Sequence, residues 1–252
     1  MEQPYPIVAG LLAALTLLLG LAVLLLCIYR RHLRGVRRPG PGMDLLAFST
    51  LGKKRMMAFP VPVRWIAIHS SHAVRLTEWL GPSAVFGMPW SEALARSRER
   101  RFFVSPPVDG WTLVIGSSVP DPAQNVDSVY IFLRRLSAVF GEVHYYGADR
   151  VLGFHGWARV DRDVVTRAYA WAGETLWNEG RMSIEERELG LRCRAYGEEA
   201  DAVRFPEMPP EFQNVERVVL LARRWSIDPI AASEILLHQD GVQSGDNGGP
   251  SN

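Results

Sequence analysis

The chain has little lysine, little cysteine and none of the common catalytic motifs. Only Lys53 and Lys54 stand against 26 arginines in 252 residues. With abundant Ala, Gly and Trp, this bias indicates a GC-rich bacterial source. Two cysteines, Cys27 and Cys193, exclude a disulfide framework and fit a reducing cytosol. No GxSxG elbow, phosphate-binding glycine loop or dinucleotide fingerprint occurs, so no motif identifies a reaction.

Charge is also missing between Ile7 and Tyr29, where Leu, Ala, Val and Ile form an almost unbroken apolar run. As a helix, such a run covers about 30 Å of hydrocarbon, so it predicts a single transmembrane anchor over residues 1–29. A cleaved signal peptide is the alternative, but it would carry cations before a shorter apolar core. A buried core helix would show a polar stripe, which is absent here.

A basic juxtamembrane linker is predicted over residues 30–58. It holds eight cations and one acid, whereas residues 59–252 hold 20 Arg and 25 acids. Cationic flanks stay in the cytosol, so we expect a bacterial inner-membrane protein with its N-terminus outside and its C-terminal domain in the cytoplasm. Because that domain is mildly acidic, the cations are expected to contact anionic lipid and not nucleic acid. These cations are Arg30, Arg31, Arg34, Arg37, Arg38, Lys53, Lys54 and Arg55.

Residues 59–240 are predicted to form a cytosolic α+β domain, an antiparallel β-meander packed by helices, followed by a disordered tail over 241–252. Strand patterns mark residues 63–69, 102–104, 111–116, 143–146, 151–160, 164–171 and 175–178. Helical patterns mark 71–80, 91–101, 126–140, 183–190, 214–225 and 228–237. Asn125 is expected to cap the helix 126–140 and Gly141 to end it.

The strongest candidate site lies on the two strands joined by residues 161–163. Alternate residues of a strand share a face, and a three-residue loop would set Trp157 opposite Arg167. The same loop would set His155 opposite Tyr169. One face would then be aromatic and cationic, as the hot spots of protein interfaces are. This predicted binding face comprises His155, Trp157, Arg159, Arg167, Tyr169 and Trp171. The alternative is a purely structural ladder of cross-strand pairs.

The other face of the same hairpin carries apolar and mostly small side chains. Their size would let the helix 126–140 pack closely against the sheet. A two-residue loop would shift the register by one residue and break this division of faces. The residues concerned are Leu152, Phe154, Ala158, Val160, Ala168 and Ala170.

Two weaker patterns contain residue types that bind metals or act as nucleophiles. His69 and His72 have HxxH spacing, but a strand-to-helix transition separates them and no acid lies beside them, as a zinc protease would require. Cys193 stands between Arg192 and Arg194, which would lower the pKa of its thiol if the side chain were exposed. A Cys–His nucleophile pair would need a histidine brought in by the fold.

A second histidine pair gives the alternative function. His144 and His155 lie on neighbouring predicted strands, and Glu142 or Asp149 would supply a nearby acid. A meander that brings these groups together would have the parts of a hydrolase or a metal site. The spacing is generic, however, so the pattern favours a structural role, and we assign no catalytic and no metal-binding residue.

The stretch over residues 108–180 resembles segments of uncharacterised bacterial membrane-anchored proteins. It begins with VDGWTLVIG at residues 108–116 and ends with RAYAWAGETLWNEG at residues 167–180. The resemblance covers about a third of the chain. It implies no activity, so no functional role is carried over to any residue.

The sequence therefore favours a membrane-tethered cytosolic protein-recognition module, with an immunity or regulatory role and no cofactor. The expected partners are the inner membrane, anionic lipid at the basic flank and a protein. The alternative is a membrane-anchored hydrolase using His144 and His155 with a nearby acid, and a lipid or envelope scaffold is a third class. An exposed apolar patch would favour recognition, whereas histidines meeting acids in a concave site would favour the enzyme.

Overall fold

A computed structural model describes residues 63–198 and 210–246, which fold around an eight-stranded sheet. The strands are β1 (Val63–His69), β2 (Ala84–Phe86), β3 (Phe102–Val104), β4 (Trp111–Ile115), β5 (Glu142–Asp149), β6 (Phe154–Asp161), β7 (Val164–Trp171) and β8 (Thr175–Glu179). The helices are α1 (Ala73–Leu80), α2 (Trp90–Ala95), α3 (Val126–Phe140), α4 (Ile184–Glu188), α5 (Pro210–Trp225) and α6 (Pro229–Asp246).

The strand order is β2-β3-β4-β1-β5-β6-β7-β8, and this corrects the predicted fold class. The sheet is mixed and not purely antiparallel, because β2 pairs with β3 in parallel. Only β5 to β8 form a meander, since β1 is inserted between β4 and β5 by pairing with both. β2 was not predicted from the sequence, and its three residues are ordered by pairing with β3.

The transmembrane helix predicted over residues 1–29 is not among the helices that the structure describes. Within residues 63–198 and 210–246, no helix has the length and apolar character that crossing a membrane demands. The apolar run at 7–29 and the basic linker at 30–58 lie outside the residues that the structure describes.

Helices cover both faces of the sheet, so β1 is buried on both sides. Trp65 and Ala67 point to one face, where α2, α5 and α6 pack, and we call this the α5–α6 face. Ile66 and Ile68 point to the other, the α1–α3 face. On that second face Ala158, Val160, Ala168 and Ala170 lie in the core with α3, as expected. Leu152 was expected on the same face but lies in the turn before β6 and is 74% exposed. A sheet covered on both faces reads as a continuous apolar run, as WIAI does in β1.

Local signals set most of the helix ends. The Asn125 side chain accepts the Ser128 N–H at 2.9 Å and caps α3, as predicted, and Gly141 follows its last residue with a φ of 83°. Ser183 and Glu186 form a complete capping box at α4. The helix predicted over residues 91–101 is shorter and begins one residue earlier, since α2 spans Trp90–Ala95. The Ser91 N–H donates to the Asp240 carboxylate at 3.0 Å.

The C-terminal helix extends further than the sequence indicated. α6 runs to Asp246, into the segment 241–252 that was predicted as a disordered tail. The apolar positions that bury this helix end near Leu237, so the periodic signal stops before the helix does.

The β6–β7 hairpin has a different register from the one predicted. Its loop has two residues, Arg162 and Asp163, with φ values of 44° and 70° that fit the primed turns of tight hairpins. Such a loop alone would exchange the two faces of β7. A β-bulge at Thr166 adds one residue and reverses that exchange, so Trp157 lies opposite Tyr169. The predicted pairing partners were wrong, but the division of faces survives.

Candidate functional site

The six residues of the predicted binding face share one side of the sheet, but that side is not a surface. His155, Trp157 and Tyr169 are fully buried, and Arg167 and Trp171 are each 4% exposed. Trp157, Tyr169 and Trp171 lie in the core of the α5–α6 face, together with residues of α5 such as Val215 and Val218. Only Arg159 reaches solvent, with its guanidinium 2.8 Å from Glu142. The alternation of side chains along each strand predicted correctly which residues share a face. It could not predict that α5 and α6, which lie far along the chain, cover that face.

The aromatic side chains of this face form a cross-strand ladder. The ring centroids of Trp157 and Tyr169 are 5.1 Å apart, and those of His155 and Tyr169 are 5.9 Å apart. A further pair, Trp65 and Tyr146, stacks at 5.2 Å. Such pairs stabilise a sheet by a few tenths to about 1 kcal/mol each. This arrangement is the ladder of cross-strand pairs that was the alternative to a binding face.

Glu186 is a fully buried carboxylate at the centre of this face. It is the fourth residue of the capping box and points at β6 and β7. Its Oε1 accepts the indole N–H of Trp157 at 2.7 Å and the Nε–H of Arg167 at 2.9 Å. Its Oε2 accepts the Ser183 N–H at 2.6 Å. Two opposite charges, Glu186 at 0% and Arg167 at 4% exposure, are thus buried together.

The rest of the Arg167 guanidinium is also engaged. One terminal nitrogen lies 2.8 Å from the Asn178 side-chain oxygen and 3.0 Å from the Glu179 carbonyl. The other terminal nitrogen lies 3.1 Å from the Cys193 sulfur. Arg167 therefore ties β7, β8 and α4 together, and it presents no donor to a partner.

Cys193 is not the activated thiol that its two flanking arginines indicated. Burial raises the pKa of its thiol to about 12, against the smaller opposing effect of Arg167. Arg192 and Arg194 do not reverse this, since Arg194 stacks over Trp171 at 5.9 Å. The thiol stays protonated at neutral pH and lacks the nucleophilic character of a thiolate.

The two candidate histidines do not meet. His144 lies opposite Arg159 in the sheet, whereas His155 lies opposite Ala148. Four residues of β5 separate those positions, which is about 13 Å along the strand. The hydrolase alternative required these two side chains to converge, and the register of β5 and β6 keeps them apart.

His144 belongs to a chain of hydrogen bonds that begins at the domain surface. Its Nε2 lies 3.0 Å from a Glu142 carboxylate oxygen, and its Nδ1 lies 3.3 Å from the Tyr146 hydroxyl. That hydroxyl lies 3.0 Å from the Ser226 hydroxyl. The hydrogen bond from His144 lowers the pKa of Glu142 to about 2, while burial lowers the pKa of His144 itself. The chain joins β5 to the end of α5.

His155 occupies a drier site at the other end of the strands. Its Nε2 lies 3.0 Å from the Asn214 side-chain nitrogen, which fits a neutral ring that accepts a hydrogen bond there. Burial lowers the pKa of His155 to about 4, and the Gly153 backbone opposes part of this shift. The ring is therefore neutral at physiological pH and packs as a member of the aromatic ladder.

His69 and His72, the pair with HxxH spacing, are separated by the predicted change from strand to helix. His69 ends β1, and His72 precedes α1. Within residues 63–198 and 210–246, no three His, Cys, Asp or Glu side chains are grouped as a metal ion would require.

An open groove lies at the β8 edge of the sheet, and no sequence pattern predicted it. It has a volume of about 520 Å³ and is formed by the start of α3, by β8 and by Tyr196. The Tyr196 side chain is 60% exposed, and its hydroxyl accepts the backbone N–H of Asn178 at 2.8 Å. The lining residues are Val126, Asp127, Tyr130, Leu176, Trp177, Asn178, Glu179 and Tyr196. They come from three distant segments, so no local pattern could reveal the groove.

A second cleft of about 300 Å³ lies at the end of the central strands. Its charged lining is largely paired within the domain. Arg64 contacts Asp121 at 2.6 Å, and Asp149 accepts the backbone N–H groups of Val151 and Leu152 at 2.8 and 3.0 Å. The cleft therefore offers few free polar groups to a ligand.

Comparison with known proteins returned no match to a family model, to a curated protein or to a solved structure.

Proposed function

We propose that this chain is a protein-recognition module that binds an extended segment of a partner along β8. The observation that carries the proposal is the state of this edge strand. β8 is the last strand of the sheet, and among the described residues it pairs only with β7. Edge strands present outward N–H and C=O groups to which another strand can add.

The Asn178 amide supports strand addition in particular. Its N–H points away from β7 and is held by the Tyr196 hydroxyl at 2.8 Å, a side chain in the place of a neighbouring carbonyl. Because Tyr196 is largely exposed, moving it aside breaks few contacts. An incoming strand would supply the backbone carbonyl that Tyr196 now replaces, so hydrogen bonding would be conserved on binding.

The groove beside β8 indicates which side chains the partner carries. Tyr130 and Tyr196 provide aromatic surface over the buried Trp177, and Asp127 and Glu179 provide two negative charges. Among the residues that the structure describes, no Lys or Arg lines the groove. Aromatic rings and carboxylates together favour arginine and lysine through cation–π contacts and charge complementarity. We therefore expect an extended segment in which cationic and apolar side chains alternate.

The proposed setting is the cytoplasmic face of a bacterial inner membrane, where a regulatory or immunity role would be exercised. Its support is the charge pattern of the sequence, since eight cations in residues 30–58 favour the cytoplasmic side and anionic lipid. Concentrating a binding module at a membrane raises its effective concentration towards partners located there.

The test is selection of displayed peptides on the purified full chain, followed by affinity measurement on the selected sequences. We expect peptides with alternating cationic and apolar residues. Asp127→Lys should weaken their binding by about tenfold, because it places a like charge in the groove. Glu78→Lys, the same change on the exposed side of α1, is the matched control and should leave affinity unchanged.

Hydrogen exchange locates the bound peptide. Binding along β8 should slow exchange of the Asn178 amide and its neighbours in β8. The proposal is wrong if selected peptides protect a different element, if both charge reversals weaken binding equally, or if the folded chain selects no peptide.

A further inference from the structure

We propose that the tip of the β5–β6 hairpin, at Val151 and Leu152, inserts into the surface of an anionic lipid bilayer. These are the most exposed large apolar side chains in the part of the chain that the structure describes, at 68% and 74%. They are adjacent in a turn, so together they form a small apolar projection. This contact is separate from the recognition groove at β8.

The tip is held in shape by its own polar contacts. One Asp149 carboxylate oxygen accepts the N–H groups of both Val151 and Leu152, which fixes the turn and leaves the two side chains pointing outward. Arg150 forms an ion pair with Glu216 and thereby ties the turn to α5. A projection that is already ordered loses little conformational entropy when it enters a membrane.

The position of the tip in the chain favours lipid as the occupant. Val63, the first described residue, pairs with Ala148 at the base of this hairpin. The preceding segment therefore reaches the domain at the same end of the sheet as the tip. That segment contains the cations of residues 30–58, which are expected to contact anionic lipid. Stable membrane attachment generally needs two such signals, and an apolar tip and a basic segment in the same chain supply both.

The charges at this end of the sheet are compatible with an anionic surface. Arg98 and Arg100 are exposed and form no ion pair among the described residues. Several acids nearby are already paired with arginines, which leaves the exposed Glu174 and the half-buried Asp149 of the tip as acids without an ion pair to a described residue. The pairs are Glu99 with Arg96, Asp121 with Arg64 and Glu216 with Arg150.

A protein partner fits the tip less well than lipid does. A specific protein interface needs about 800 Å² from each side, with aromatic anchors in its buried centre. Two aliphatic side chains on a narrow turn provide neither the area nor the anchors. Insertion of a few apolar side chains beside cations is the pattern of membrane-surface contacts.

The experiment places a photo-crosslinking phenylalanine analogue in the full chain at position 152. The protein is reconstituted with vesicles of phosphatidylethanolamine and phosphatidylglycerol, and adducts are read by mass spectrometry. The matched control is position 164. Val164 is also apolar, 60% exposed and next to a hairpin turn, but it lies at the opposite end of the sheet. We expect lipid adducts at 152 and none at 164.

A second variant tests whether apolar contact drives the insertion. With the crosslinker at position 151, Leu152→Asp should reduce lipid adducts by about tenfold. The fold should survive, because Leu152 makes little contact with the core. The proposal is overturned by equal adducts at 152 and 164, by no lipid adduct at 152, or by protein–protein adducts there in place of lipid.

Discussion

At the scale of single residues, the buried Glu186–Arg167 pair makes stability sensitive to the loss of either partner. Both side chains are out of solvent, and Trp157 and Ser183 satisfy the remaining carboxylate positions. A buried ion pair adds little net stability when intact, but loss of one partner leaves the other charge uncompensated. The pair therefore makes the packing of α4 on the sheet specific for this arrangement.

Glu186→Gln is expected to lower the free energy of unfolding by about 3–5 kcal/mol, because Arg167 would stay buried without its anion. The measurement is urea unfolding of the full chain. The double variant Arg167→Met with Glu186→Leu should recover much of that loss. Arg96→Ala removes an exposed ion pair and serves as the control, with no measurable change expected. A Glu186→Gln variant as stable as Arg96→Ala would contradict the prediction.

His155 should make folding sensitive to mild acid. Burial holds its pKa at about 4 in the folded state, against an ordinary value of 6.5. Its stability contribution is complete above pH 6.5 and is lost as the pH falls towards 4, because only the unfolded chain then takes up the proton. Between pH 7 and pH 5 the loss should be about 2 kcal/mol. In His155→Gln, the free energy of unfolding should fall less between pH 7 and pH 5 than it does in the unsubstituted chain. The same fall in both proteins would show that His155 is not responsible for the acid sensitivity.

At the scale of elements, the number of unpaired residues in the β6–β7 hairpin decides which face of the sheet the β7 side chains point to. The two-residue loop would turn Arg167, Tyr169 and Trp171 towards α3, and the bulge at Thr166 restores them to the α5–α6 face. Tight loop and bulge thus compensate for each other. The positive φ angles of Arg162 and Asp163 identify the two-residue loop in the structure. The residue types around Thr166 do not predict the bulge.

Deletion of Thr166 is expected to abolish cooperative unfolding, because it would move a buried arginine and two large aromatics to the wrong face of the sheet. Thr166→Ala is the matched control. It keeps the residue count and removes only the hydrogen bond to the Arg159 carbonyl at 3.0 Å, so about 1 kcal/mol or less should be lost. Thermal melts followed by circular dichroism distinguish the two. A deletion variant that melts like the control would show that the bulge does not set the register.

At the scale of the whole molecule, a single sheet separates two cores. Trp157 lies in the core of the α5–α6 face, and Leu133 lies in the core of the α1–α3 face. Since every strand in the centre of the sheet contributes side chains to both, neither core can loosen without the other. The domain should therefore unfold as one cooperative unit.

Trp157→Ala and Leu133→Ala test this coupling from opposite faces. Each should cost about 3–5 kcal/mol, because each leaves a cavity in a closed core. In both variants, tryptophan fluorescence and far-ultraviolet circular dichroism should report the same urea midpoint. Separate midpoints for the two probes would show that the faces unfold independently.

Elements with strong local signals were predictable from residue types alone. The strand over residues 164–171 and the helix over 126–140 have the bounds that their patterns indicated, and Asn125 caps that helix as expected. The division of the β6–β7 hairpin into two faces was also predictable, because side chains alternate along any strand. β2 was not, since its three residues are ordered by pairing with β3 and not by a pattern of their own.

The sequence by itself determined which residues form the main strands and helices and which side chains share a face. Those properties depend on neighbours within a few positions along the chain. Only the tertiary structure decided that α5 and α6 bury the aromatic face, that His144 and His155 stay apart, and that Tyr196 meets Asn178 at a groove. Each of these depends on how distant segments pack, and the packing of distant segments leaves no periodic trace in the order of residues.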